Sequence, residues 1–200
     1  MGVAIRRAGQ DDREAVTGLL DEAFFPDQVS SWVFPDEADR RRAHAGLMGA
    51  FVDAALAEGH VDMAEDGTAV ALWLSVPAGH APDPDGPAQF REAIDPGNER
   101  VEQITRILDE AHPKDRAHEY LMMIGVSAER RSQGVGTELM NPVLARCDRE
   151  GLSAYLEASS ERSRALYERL GFTYLGRTID LPDGPHMWPM WRDPQPGSAL

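Results

Sequence analysis

From residue 118 onward the chain alternates strands and helices around one glycine-containing turn, and this limits it to a mixed α/β architecture. Residues 118–126 are an apolar run of strand length; Arg131-Ser132-Gln133-Gly134-Val135-Gly136 follows and opens a helix over 134–150. A strand over 153–157, a helix over 161–170 and strands over 172–176 and 187–191 complete this half. Upstream, residues 3–7 alternate like a short strand, and Asp11-Asp12 caps an amphipathic helix carrying Val16, Leu19, Leu20, Ala23 and Phe24. Residues 26–35 read as an aromatic loop, 37–56 as a second helix ended by Gly59, and 60–64 with 69–76 as a hairpin around Glu65-Asp66-Gly67. Residues 77–87 form a long Pro/Gly/Asp loop, and 89–111 read as helical segments broken near Pro96-Gly97.

A chain of 200 residues with 42% hydrophobic content suits one domain with a two-layer core, expected over 1–192 with 193–200 as a frayed tail. The single cysteine, Cys147, excludes an internal disulfide and a cysteine-rich zinc site and reads as a core filler. The six histidines show no zinc spacing, so no metal is expected. A formal net charge of -14 opposes nucleic-acid backbones and anionic membranes and favours cationic partners such as amines. With no stretch suited to a signal peptide or membrane span, a cytoplasmic protein is expected, as a monomer or homodimer.

A glycine-containing turn between strand and helix exposes successive amides at the helix's positive end, which suits a pyrophosphate, and Arg130 and Arg131 add charge there. It is not a P-loop, which needs Lys and Ser/Thr straight after its last Gly, nor a dinucleotide fingerprint, which needs a third Gly where Leu139 stands. Further on, Tyr167 lies on a short helix four residues before Gly171-Phe172. A phenol with an ordinary pKa of about 10 can protonate a departing thiolate at neutral pH. Together the two runs suggest acyl transfer from coenzyme A.

On these residues, residues 118–192 resemble the GCN5-related N-acetyltransferase (GNAT) superfamily and, within it, the puromycin N-acetyltransferase branch. Arg131-Ser132-Gln133-Gly134-Val135-Gly136 satisfies the family's Arg/Gln-x-x-Gly-x-Gly/Ala signature. The Asn141-Pro142 break inside a helix, Leu156-Glu157-Ala158-Ser159, Tyr167-Glu168-Arg169-Leu170-Gly171-Phe172 and Gly184-Pro185 with Trp188, Met190 and Arg192 are similar to the branch. The resemblance implies a central twisted, mostly antiparallel sheet flanked by helices, with its fourth and fifth strands splayed to admit pantetheine. It implies acetyl-CoA as cosubstrate without a metal, and direct attack by a primary amine in a ternary complex.

Residue by residue, the resemblance implies that the backbone of Ile124 and Val126 binds pantetheine, the Val126 amide polarising the thioester carbonyl. Arg131, Ser132, Gln133, Gly134, Val135, Gly136 and Thr137 would hold the pyrophosphate, although the branch commonly has Gln, Gly and Lys at the first three. Ser163 stands where the branch has a cofactor-contacting Asn, and Tyr167 is the general acid. For the base, Glu119 qualifies by type, but alternation points Glu119 and Tyr120 to opposite faces. Relatives with a glutamate base on this strand carry it at the register of Tyr120. Glu157 is the alternative, ordering a water, and His118 a third. Phe24, Trp32, Phe34, Trp73 and Tyr120 are the expected acceptor wall. A small amine is the expected acceptor; a protein N-terminus or lysine side chain, or an acyl-CoA sensor without turnover, are the alternatives.

Overall fold

The computed structural model describes residues 3–195. In chain order it contains β1 (Ile5–Arg7), α1 (Arg13–Phe24), α2 (Gln28–Val33), α3 (Glu37–Glu58), β2 (Gly59–Ala64), β3 (Ala69–Val76), α4 (Gly86–Ile94) and α5 (Glu99–Ala111). There follow β4 (His118–Val126), α6 (Val135–Glu150), β5 (Ser153–Ala158), α7 (Glu161–Arg169), β6 (Thr173–Tyr174), β7 (Ile179–Asp180) and β8 (His186–Arg192). The strands order as β1-β2-β3-β4-β5-β8-β6, with β7 also on β8. Every pairing is antiparallel except β4 with β5. This is the expected mixed α/β fold with a mostly antiparallel sheet.

Two cores form on opposite faces of the sheet. One gathers Leu20, Leu47, Met48, Val52 and Leu72 with the first five helices. The other gathers Leu139, Met140, Leu156, Tyr167 and Phe172 with α6 and α7, and Cys147 is buried within it. α6 runs unbroken through Pro142.

The feature that positions the site is in β4. Its parallel pairing with β5 covers only His118↔Ser153, Glu119↔Ala154 and Tyr120↔Tyr155. On its other edge, β3 registers Leu72 with Met123 and Trp73 with Leu121, so Met122 is an extra residue on β4. Such a bulge bends its strand and re-aims the side chains beyond it. Before the bulge Leu121 lies in the core beneath α6; beyond it the even-numbered Ile124 and Val126 do. β4 therefore leaves β5 after Tyr120, and a gap opens between them.

Several sequence expectations change. Residues 26–35 are not a loop throughout: Asp27 accepts a hydrogen bond from the Val29 amide and caps α2, a signal masked by Pro26 and Pro35. Gly59 ends α3 with an extended backbone, φ -141°, rather than a left-handed one. Glycine is needed there because a Cβ would collide with the Trp73 carbonyl. The strand over 172–176 shrinks to two residues, and the short β7 is new. Residues 193 and 195 are exposed and make surface hydrogen bonds: Trp191 Nε1 donates to Asp193 at 2.9 Å, and the Gln195 amide donates to Asp148 at 2.7 Å. The rest of the expected tail lies outside the described residues.

Candidate active site

A cavity of about 1010 Å³ runs through the gap between β4 and β5. Its outer end is made by one contiguous turn. Ser132 (φ 66°) and Gly134 (φ 84°) are left-handed, which curls the chain so that α6 starts facing the cavity. Gly134 accepts from the Glu138 amide, which leaves the amides of Val135, Gly136 and Thr137 without backbone partners in the first turn of a 16-residue helix. A Cβ on Gly136 would project between Ile124 and Leu166, both cavity residues. Arg130, Arg131 and Arg162 supply positive charge at the rim. Arg131 also donates to the carbonyls of Val126 (3.2 Å) and Ala23 (3.3 Å), tying the end of β4 to α1. Curled backbone, free amides, a bare glycine and cationic rim fit a diphosphate.

Of the residues expected here, Arg131, Ser132, Gly134, Val135, Gly136, Thr137 and Ser163 line the cavity. Gln133 does not: its side chain turns back to donate to the Glu129 carbonyl at 2.7 Å. Ser163 doubles as the N3 residue of a capping box with Ser160, so its hydroxyl is already engaged at 2.9 Å by the Ser160 carbonyl. Midway, the Ser127 amide donates to the carbonyl of Thr68, just before β3. Strand alternation then puts the amides of Ile124 and Val126 on the side of the gap.

Tyr167 is buried on α7 and lines the cavity; burial raises its pKa, so the phenol keeps its proton at neutral pH. Glu157, at the end of β5, lines the same cavity, and burial pushes its carboxyl up to about 7. Tyr120 donates to Glu157 Oε2 at 2.8 Å, while Oε1 is buried with no protein partner among the described residues. The Tyr155 hydroxyl faces the same carboxyl but completes no hydrogen bond in this geometry. Burial and the neighbouring Glu157 keep Tyr120 and Tyr155 protonated. The site thus holds one carboxylate oxygen with a pKa near neutrality and no partner, facing the same space as a phenolic proton donor.

Glu119 is not part of this site. It points to the opposite face, where Ser75 donates to it at 2.7 Å and Arg146 pairs with it at 3.0 Å. His118 is buried behind the cavity wall, its Nδ1 donating to the Arg116 carbonyl at 2.8 Å. Its Nε2 therefore accepts from His112 Nε2, 3.0 Å away. Burial, with His118 beside it, lowers the His112 pKa to about 4, so both rings are neutral at physiological pH.

The inner end is an apolar chamber lined by Phe24, Val33, Met48, Phe51, Phe90 and Leu108. Phe24 and Tyr120 are the expected wall residues that reach it. Trp32 faces away: its Nε1 donates to the Pro182 carbonyl at 2.8 Å, and Arg100 lies 5.0 Å over its ring. Phe34 is core against His44, and Trp73 is buried beneath α6 with its ring stacked on His60. These three do not line the cavity and pack in the core instead. The sequence reading missed Phe51, Phe90, Leu108 and His112. Phe51 was expected on an apolar helix face and Phe90 and Leu108 within helical segments, while His112 follows the end of α5; only the packing of α3, α4 and α5 shows that they enclose a space.

A family model described as the Acetyltransferase (GNAT) family matches residues 19–172, and the chain belongs to this family. It is 26% identical over 187 residues to an uncharacterized N-acetyltransferase of Schizosaccharomyces pombe, a match over 86% of this chain and 75% of that protein. A crystal structure from Corynebacterium glutamicum, described as histone acetyltransferase HPA2 and related acetyltransferase, matches over 100% of both chains with a TM-score of 0.73 and 28% identity. Arylalkylamine N-acetyltransferase 2 from Aedes aegypti shares the fold, with a TM-score of 0.68, 15% identity and coverage of 98% of this chain and 100% of its own. Among the described residues, no helix is long and apolar enough to cross a membrane, and no group of three or more His, Cys, Asp or Glu could hold a metal ion.

Proposed function

We propose that the protein transfers an acetyl group from acetyl-CoA to the primary amine of a small, largely apolar molecule, by direct attack in a ternary complex. The observation that carries this reading is the single cavity that joins a diphosphate-fitting turn, the proton donor Tyr167, the unpartnered Glu157 oxygen and an apolar chamber. The first turn of α6 holds the diphosphate, and the amides of Ile124 and Val126 take the pantetheine arm in the gap. The chamber holds the body of the acceptor, with its amine at Glu157 Oε1. Glu157 accepts the ammonium proton, which its raised pKa equips it to do near neutrality. The Val126 amide stabilises the oxyanion, and Tyr167 protonates the departing thiolate.

Thiol release measured across a panel of amines tests this. Arylalkyl and alkyl amines should give the highest kcat/KM, and short hydrophilic amines and lysine-containing peptides the lowest. A histone peptide outperforming every small amine would overturn the small-acceptor reading and favour the activity named for the Corynebacterium glutamicum structure.

A further inference from the structure

A second polar cluster opens on the cavity from the acceptor side. Asp21 on α1, Ser30 on α2 and His44 on α3 meet in an otherwise apolar junction flanked by Phe25 and Phe34. Asp21 Oδ1 lies 2.6 Å from His44 Nδ1, and Ser30 Oγ lies 3.0 Å from His44 Nε2. A carboxylate only accepts, so Nδ1 carries the proton, and in the neutral ring Nε2 accepts from the Ser30 hydroxyl. His44 is fully buried, and Ser30 lines the cavity. This is the donor order of a serine nucleophile, its base and the carboxylate that orients the base.

The fold also aims this serine. Ala23, near the end of α1, lies against Gly125 of β4. Asp27, which caps α2, accepts from Ser159 just after β5 at 3.1 Å. The α1–α2 connection therefore bridges β4 and the end of β5, and Ser30 stands on its cavity side. A structural tie between helices would not require Ser30 to line the cavity that joins the chamber to the first turn of α6.

We propose that Ser30, with His44 and Asp21, gives the protein an acceptor-independent acyl-CoA hydrolase activity through an acyl-serine. This rests on the reading that acetyl-CoA occupies the cavity. Ser30 Oγ bonds to the acyl carbon as His44 Nε2 takes its proton, with Asp21 stabilising the imidazolium. The carbon–sulfur bond breaks, and the thiolate takes that proton to leave as free thiol. Water then attacks the ester carbon and gives a proton to His44, which passes it to Ser30 Oγ as the ester bond breaks. The net reaction is thioester plus water to thiol plus acetic acid.

The protein is incubated with acetyl-CoA and no amine; free thiol is followed, and acid-quenched samples are mapped by mass spectrometry. Thiol release with one acetyl group on Ser30 is expected. Ser30→Ala should abolish both, and Asp21→Asn should slow release by roughly 10²-fold. Asp21 is partly exposed, so its variant tests the relay even if Ser30→Ala folds poorly. Release that survives both substitutions, or an acetyl group mapped elsewhere, overturns the proposal. Calorimetric acetyl-CoA binding without thiol release or adduct overturns the serine route alone, whereas absence of binding also overturns the acetyltransferase reading of the cavity.

Discussion

At its outer end the cavity is lined by one contiguous stretch, Ser132 and residues 134–137, with arginines at the rim, whereas its inner end is lined by residues from α1 to α5 that are far apart in sequence. The outer end depends on dihedral angles, namely the left-handed Ser132 and Gly134 and the free amides of α6. The inner end depends on volumes and on the ties that fix α2, such as Asn98 donating to the Val33 carbonyl at 3.0 Å and Arg100 to the Trp32 carbonyl at 2.6 Å. Binding at the outer end should thus tolerate side-chain changes that preserve the turn, while acceptor choice should shift with single changes of volume in the chamber.

The strongest test lies where the two ends meet. Tyr167→Phe keeps the ring and its packing on Phe172, so coenzyme affinity and thermal stability should hold while turnover falls by about 10²–10⁴-fold. Single-turnover kinetics with a saturating amine checks this, and full activity would move the proton donor to water.

Glu157→Gln should lower turnover by roughly 10²-fold and remove the rise in rate through pH 7 that the Glu157 carboxyl imposes. It also carries a stability signature. The folded-state pKa of about 7 lies above the ordinary 4.5, so burial favours the protonated form. The stability tied to that proton is fully present below the unfolded pKa and is lost as pH rises through the folded one, by roughly 3 kcal/mol. Thermal melts should show the glutamine variant more stable than the parent above neutrality, with the gap closing in acid. A constant gap would deny the raised pKa.

The two ends separate in the remaining variants. Gly134→Asp puts a side chain and a negative charge on a left-handed residue and should weaken acetyl-CoA binding by at least roughly tenfold in calorimetry. Phe90→Leu, which trims the ring 5.5 Å from Phe51 in the chamber, should change the amine KM by roughly fivefold and leave coenzyme affinity unchanged. If it also changed coenzyme affinity, the two ends would be one coupled surface.

The same contrast explains what could be read in the sequence. The turn proposed to hold the diphosphate was legible as a conformation because its determinants are adjacent: a glycine at a left-handed position, then a helix start. The places of Tyr167 and Glu157 on the cavity wall were legible through the short runs around them. The chamber was not, because Phe51 and Phe90 become neighbours only when α3 and α4 pack. Trp32, Phe34 and Trp73 misled for the related reason that a large aromatic serves a core as well as a pocket. Glu119 and Tyr120 were separated correctly by strand alternation. The bulge at Met122 was invisible, since nothing in Leu121-Met122-Met123 marks an extra residue until β3 is laid beside it.

That one residue acts as an offset in the count of β4. Removing Met122 would restore even pairing with β3, leave Ile124 and Val126 on the α6 face opposite Ala71 and Ala69, and take away the bend that turns the far half of β4 from β5. The shortened chain would keep every residue proposed for phosphate binding and proton transfer while narrowing the gap that joins them. The gap in the sheet is therefore a matter of arithmetic along a single strand.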